Sequence, residues 1–403
     1  MEWLSIKLAF RNLLGSGKRT WLNVTVLSIA FVVIVFYNGL LDGWNLQAKR
    51  DTKAWETGSG RIDHALYDQF DPLSLVDAHA PLGEMLKAEI ESGDAVAVLA
   101  VQASAYPNGR MVNVLLKGID PAQKRLSLPT AALDSAREAD GSAIPVIVGD
   151  RTAKSAKLKE GDVMIVRWRD VNGTFDAREV RIAGVFKTTV PTVDGGQLWM
   201  PLEDLREMTS LYGEATYVVL SDEIVALNDF SSAGALSQEW RYMDEDALMK
   251  EIDDIIKTKR ASSMIMSMLL LGIALLAIFD TQILSIFRRQ KEIGTYIALG
   301  MTRLRVVGIF TIEGTVHSIL AILLGLLWGM PLLKLIQHVG LPMPAGTDQA
   351  GLAIADKIVP AYSAGMILAS VLLVVVSSFI VSYIPARKIA KMKPTEALRG
   401  KLL

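Results

Sequence analysis

Four stretches of this chain are apolar for about 20 residues or more, the length a helix needs to cross a bilayer. They run over 21–41, 262–287, 306–335 and 361–384. Between the first and second the pattern changes. Short apolar runs at 95–105, 111–117, 144–148, 163–168, 179–186 and 216–220 are separated by turn residues, which predicts strands. Residues 151–158, before Gly161-Asp162, read as a short helix and turn leading into a strand. The flanks of this region read as helical. Residues 43–56 continue the first span, and 239–259 place Met243, Leu248, Ile252, Ile255 and Ile256 mainly three or four apart. These flanks are either stalks that pack on each other or on a partner subunit, or domain helices that end at the membrane. A subdivision is expected near 120–145.

Composition agrees with two kinds of block. Of 403 residues 51% are hydrophobic while 21% are charged, which apolar spans joined to a charged soluble domain would produce. The net charge of −1 argues against a nucleic-acid partner. The total hides a segregation, however. Residues 1–20 carry four Lys/Arg against one acid, 287–305 five against one, and 385–403 six against one. Residues 42–260 carry 25 Lys/Arg and 36 Asp/Glu. Positive loops stay cytoplasmic, so both termini and the 288–305 loop are assigned inside, with 42–261 and 336–360 outside. The expected class is therefore a membrane α-helical protein with four transmembrane helices. A large α+β extracytoplasmic domain is inserted between helices 1 and 2. The first span lacks a small-x-small cleavage site and exceeds a signal-peptide core, so it reads as an uncleaved anchor. The chain has no cysteine, which removes disulfides, thiol catalysis, cysteine zinc sites and a lipid-attachment cysteine.

Candidate chemistry is sparse. Gly15-Ser16-Gly17-Lys18-Arg19-Thr20 looks like a phosphate-binding loop but fails. A Walker A motif needs Ser or Thr directly after the Lys and a Gly five positions before Gly17, where this chain has Arg19 and Asn12. No other stretch supplies such a loop, so ATP use must come from another chain, and no cofactor is assigned here. In the outer domain we find no catalytic constellation: His64 is the histidine noted there, and the acids are scattered as on a solvated surface. Trp168, Trp199 and Trp240 read as core or subunit-contact residues rather than a ligand cage. Within the spans, ionisable residues are costly and therefore candidates. Asp280 lies near the inner end of the second span, and Glu313 about two turns into the third, with His317 one turn further on the same face. The last two are either a proton relay or a packed pair. Gly314, Gly325 and Gly329 suggest close helix approach, and Pro331 is expected to end or kink the third helix.

The segment 288–305 is longer than a turn between antiparallel spans requires. Arg288, Arg289 and Lys291 stand at headgroup level, then Glu292 to Leu299 read as a helix stopped by Gly300. Ile293, Ile297 and Ala298 share a face, with Tyr296 beside them. So short a helix is not stable alone in water, and it either lies on the membrane or docks into a partner's groove.

The run Arg289-Gln-Lys-Glu-Ile-Gly-Thr-Tyr-Ile-Ala-Leu-Gly-Met-Thr302, followed by Arg303, Val306 and Glu313-Gly314, resembles the FtsX-like permease domain of ABC transporters of the MacB and LolC/LolE type. The tail Pro385-Ala-Arg-Lys-Ile-Ala-Lys-Met-Lys-Pro-Thr-Glu-Ala-Leu-Arg399 is similar to the end of that domain. Lys7-Leu-Ala-Phe-Arg-Asn-Leu-Leu14 resembles the family's amphipathic cytoplasmic lead-in helix, placed here at 1–20. Val148-Gly149, Leu158-Lys-Glu-Gly-Asp162 and Ile182-Ala-Gly-Val185 resemble its periplasmic core domain. The resemblance implies a coupling helix at about 290–301 that inserts into a separate ATPase. Arg289, Lys291, Glu292, Ile293, Gly294, Tyr296, Ile297, Leu299 and Gly300 would carry the coupling. It also implies an assembly of two ATPase subunits, which bind the ATP and Mg, with two permeases, the second a copy or a paralogue. The membrane would be the bacterial inner membrane, with the large domain in the periplasm and movements transmitted through the stalks. Thr57-Gly-Ser-Gly-Arg-Ile62 and Asp71-Pro-Leu73 resemble lipoprotein-releasing members more than antibiotic exporters, which implies lipoprotein or other lipidated cargo. Export of drugs or peptides with an outer-membrane factor, FtsX-like control of a periplasmic hydrolase, and a receptor with an ectodomain remain as alternatives.

Overall fold

The structure, a computed structural model, describes residues 18–139, 143–227, 230, 236–342 and 357–390. The lead-in segment before Lys18, the centre of the last connector and most of the tail matched above lie outside the described residues. Two compact units result: Met1–Trp44 with Ile255–Leu341 and Ile358–Leu403, and Asn45–Asp254 with Pro342–Lys357.

The first unit is helical: α1 (Lys18–Thr52, which passes into the second unit), α2 (Lys250–Arg288), α3 (Gln290–Ala298), α4 (Arg303–Val339) and α5 (Ala364–Ala390). Among the described residues, all but α3 contain windows long and apolar enough to cross a membrane. Leu27, Phe31 and Ile34 of α1 meet Leu271 and Ile278 of α2, Ala321 and Ile322 of α4, and Val374 of α5 in one core. Lipid is as apolar as these side chains, so close fit rather than escape from water selects the packing. Glycines provide that fit. A Cβ on Gly325 would stand 2.9 Å from the Phe31 ring, and one on Gly329 would overlap Val32. Gly314 likewise admits Ser382 of α5 and Gln282 of α2.

Of the two outcomes expected of Pro331, an end to the helix does not occur: α4 runs through it to Val339. A membrane bundle tolerates an internal proline because neighbouring groups can satisfy the carbonyl that the missing N–H frees.

The second unit is built on nine strands: β1 (Gly60–His64), β2 (Ala95–Tyr106), β3 (Val112–Ile119), β4 (Ile144–Gly149), β5 (Val163–Arg169), β6 (Phe175–Phe186), β7 (Gln197–Pro201), β8 (Tyr217–Leu220) and β9 (Trp240–Met243). They form one sheet in the order β9-β1-β8-β2-β3-β7-β4-β6-β5. The long β2 explains its shape. Its first half pairs with β8, and residues 103–106 pair with β5, so six strands close on themselves and their edges vanish. Helices such as Leu202–Thr209 and Ala131–Ala139 cover the remaining faces. The described residues on either side of the subdivision expected near 120–145 belong to one unit, Asn45–Asp254. Trp168, Trp199 and Trp240 are all buried, as core residues.

The flank expected to be helical from residue 239 begins otherwise. Trp240–Met243 pair with β1, and a helix starts only after Asp244, whose carboxylate accepts the Ala247 N–H at 2.8 Å. Two aromatic residues in four suit a strand, and a capping aspartate sets the helix start beyond them.

Candidate functional site

The loop between α2 and α4 is ordered by its own chain. α3 starts on the Arg289 carbonyl, which accepts the Ile293 N–H at 3.0 Å. It stops in a six-residue C-terminal turn. Gly300 N–H donates to Ile297 O at 3.1 Å and Met301 N–H to Tyr296 O at 3.0 Å, with Gly300 at φ +93°. Only glycine takes that backbone without strain, which is why the helix ends there.

Burial divides α3 into two faces. Ile293 is 2% exposed and sits in a cluster with Ile286, Val306, Val307, Phe310 and Ala386; Tyr296, Ile297 and Met301 flank it. Gln290 and Gly294 are also buried. Lys291, Glu292, Thr295, Ala298, Leu299 and Gly300 face outward. Leu299 is 80% exposed and Leu304, just beyond, 81%. Of the nine residues expected to carry coupling, Ile293 and Gly294 therefore belong to the inner face. The i, i+3, i+4 spacing marks an apolar face but does not say which surface covers it, and here the chain's own bundle does.

Arg289 also turns inward. Its Nη1 donates to Glu313 Oε2 at 3.0 Å, its Nε to Glu292 Oε2 at 2.8 Å, and its guanidinium lies 5.1 Å from the Phe310 ring centre. Glu313 and His317 are both buried, yet they do not meet through the carboxylate. His317 Nδ1–H donates to the Glu313 backbone carbonyl at 2.9 Å, while the carboxylate goes to Arg289. This geometry belongs to a packed pair and contains no relay between the two side chains. Asp280 stands apart, exposed on α2.

The second unit holds two further features. Within its core, Arg61 lies against Asp63, with its Nη2 at 2.9 Å from Oδ2, and over the Tyr217 ring at 4.9 Å. Lys117 Nζ is 4.9 Å from the Trp199 ring centre and 4.0 Å from Glu56 Oε1. Burial works against both charges. For Arg61 the attraction of Asp63 more than offsets it, so its pKa is raised. For Lys117 burial dominates Glu56 and the ammonium's pKa is lowered. On the surface, a cleft of about 720 Å³ opens beside β2 where it leaves β8 for β5. Leu73, Val76, Met111 and Phe175 line it with Arg167 and Arg169. The Arg167 guanidinium stands 4.3 Å over Phe175, a cation on an apolar wall. His79, which the sequence reading passed over, borders this cleft and pairs with Glu214 through Nδ1. No spacing signal announces that pair, because its members are 135 residues apart.

Among the described residues, four helices are long and apolar enough to cross a membrane, and a short helix packs against two of them, the pattern of a multi-pass membrane protein. Residues 264–394 match the family described as FtsX-like permease C-terminal. The chain carries an FtsX-like permease domain. It is 26% identical over 217 residues to the macrolide export ATP-binding/permease protein MacB of Psychrobacter arcticus, covering 51% of this chain and 30% of that one. An uncharacterised ABC transporter permease of Methanocaldococcus jannaschii is 24% identical over 278 residues, covering 65% of this chain and 63% of that one. The chain thus spans less than a third of the MacB relative. The extracellular domain of the noncanonical ABC-type transporter YknZ from Gram-positive bacteria is 15% identical, covering 46% of this chain and 99% of that one at a TM-score of 0.28.

Proposed function

We propose that this chain is the permease subunit of an ABC transporter of MacB/FtsX type, and that α3 is the helix through which a separate ATPase drives it. The observation that carries this is the two-faced α3. Its inner face is fixed on α2 and α4, and a charged outer face with one prominent apolar residue, Leu299, is left for a partner. The match over 264–394 supports the same reading, as does the name of the MacB relative, which joins an ATP-binding part to a permease. ATP and Mg would be held by the partner. The basic loops support an orientation with α3 inside and the second unit outside, in the inner membrane of a bacterium. A second copy or a paralogue would cover the outer face of α2, where Asp280 stands exposed with Ile265, Leu269 and Ile273.

Cargo is proposed to be amphiphilic, with lipoprotein release from the membrane as the leading reading. The cleft beside β2 supports it: apolar walls next to two arginines suit a molecule with an acyl or apolar part and an anionic or polar one. Export of a small molecule is favoured by a different observation, the macrolide-export name of the MacB relative.

The decisive test is affinity purification of the tagged full chain from membranes of its own host. An ATP-hydrolysing subunit should come with it and be lost with Leu299→Asp or Glu292→Lys. Retention of the subunit by both variants would remove α3 as the docking element. Photocrosslinking from Met111 and Leu73 in the same cells should capture lipidated protein. A clean screen that captures only small molecules would move the assignment to export.

A further inference from the structure

One charged contact joins α3 to α4 inside an otherwise apolar cluster. The backbone carbonyl of Arg289 is the first acceptor of α3, and its side chain ends on Glu313, three turns into α4. A single residue thus touches both helices, once through the main chain and once through the guanidinium. Glu313 is 9% exposed. A carboxylate at that depth is unfavourable unless it is paired, so Arg289 is held where it is by the charge it neutralises. Around the pair, Ile286, Ile293, Val306 and Val307 pack without direction. Apolar contact resists separation but allows sliding. The planar guanidinium, forked between Glu292 and Glu313 and seated over Phe310, fixes a position and an angle.

We infer that the Arg289–Glu313 pair is a rigid link that turns a displacement of α3 into a displacement of α4, and that Arg289 is a positioning residue rather than a docking contact. This rests on the reading that a partner ATPase moves α3. From Glu313 the route continues along α4 itself. Gly314 abuts Gln282 of α2 and Ser382 of α5, and Gly325 and Gly329 abut Phe31 and Val32 of α1. At each of these glycines a neighbouring helix lies within side-chain contact of the α4 backbone, so α4 cannot shift without moving them. Without the ion pair, α3 would still be covered by its apolar neighbours but would no longer set the position of α4.

The test uses the complete chain with its copurified ATPase in lipid nanodiscs. Hydrogen exchange is followed in α3 and in residues 303–313, with and without a non-hydrolysable ATP analogue. In the wild type both regions should respond, by about fivefold or more in rate for a coupling of ordinary size. Glu313→Gln should keep the ATPase bound and keep the α3 response, but lose the response in 303–313. Arg289→Lys, which keeps the charge but not the fork, should weaken it, and the exchanged pair Arg289→Glu with Glu313→Arg should restore it. If Glu313→Gln does not fold, the Arg289→Lys and exchanged-pair measurements decide alone. The inference is overturned if residues 303–313 respond fully in Glu313→Gln or Arg289→Lys, or if the exchanged pair restores nothing. It is also overturned if Arg289→Ala releases the ATPase as completely as Leu299→Asp does. A wild-type chain that retains no ATPase defeats the proposed function instead, before any variant is compared.

Discussion

Lys117 is a charged residue buried in the core of the second unit. It is fully enclosed beneath Trp199 and Tyr217, and the nearest carboxylate oxygen, on Glu56, is 4.0 Å away, beyond hydrogen-bond reach. Burial lowers its pKa below the ordinary 10.5, with Glu56 offsetting part of the fall. The sign of the linkage follows. Below the lowered value both folded and unfolded chains carry the proton, and the full penalty of a buried charge is present. As pH rises from that value toward 10.5, the folded chain releases the proton first, so the unfolded state binds more protons and stability increases. Tyr67 and Tyr217, whose pKa values burial raises, act in the opposite direction in the alkaline range, so the contribution of Lys117 is read as a difference. Over this window the thermal unfolding temperature of the detergent-solubilised wild type, followed by tryptophan fluorescence, should gain on that of Lys117→Met. Because the side chain is enclosed by aromatic rings, Lys117→Met should also be neutral or stabilising at pH 7, whereas Lys117→Ala should cost about 2 kcal/mol or more through the cavity it leaves. A wild type that does not gain on Lys117→Met toward alkaline pH would contradict the buried-ammonium account. None of this is legible locally, since Lys117 lies in a strand whose sequence neighbours do not reveal that two aromatic rings converge on it.

Elements were legible where their period is long and uniform, and illegible where partners come from afar. Six of the nine strands coincide with the short apolar runs in the sequence. β1, β7 and β9 do not, being four or five residues each and defined by their neighbours: β1 is flanked by β8 and β9, far along the chain. Trp240–Met243 is instructive, because its spacing with Leu248 and Ile252 mimics a helix and only pairing with β1 makes it a strand. In the bundle, glycine spacing in α4 correctly pointed to close approach, but not to which helix approaches. The structure supplies α1, and this can be checked chemically. Val32 Cβ stands 3.3 Å from where a Cβ on Gly329 would be, near the separation across a disulfide. The chain has no cysteine of its own. Val32→Cys combined with Gly329→Cys should therefore crosslink within one chain under mild oxidation, without background. A pair that stays reduced would mean that α1 and α4 do not meet at this level. Gly300→Val should unravel the end of α3, since a β-branched side chain at φ +93° costs about 1–2 kcal/mol. The expected signature is loss of exchange protection at the amides of residues 300 and 301.

At the scale of the whole molecule, the segregation of charge predicts a direction of insertion. A membrane-impermeant maleimide applied to intact spheroplasts should label Met111→Cys, exposed in the second unit, and spare Leu304→Cys in the basic loop until the membrane is opened. Labelling of Leu304→Cys from outside would reverse the topology, and with it the proposal that α3 meets an ATPase.

Span number, the position and sign of the loops, and the mixed α/β character of the region between the first two spans were determined by the sequence alone. They depend on length, hydropathy and charge, which are properties of consecutive residues. The short helix between the second and third spans was equally visible, down to the glycine that ends it. Which way that helix faces was decided only by the tertiary structure. Ile293 turns into the bundle and Leu299 outward, and Arg289 reaches back to Glu313, because burial and ion pairing depend on which residues a fold brings together. The period of a helix says that it has two faces; only its neighbours say which one is free.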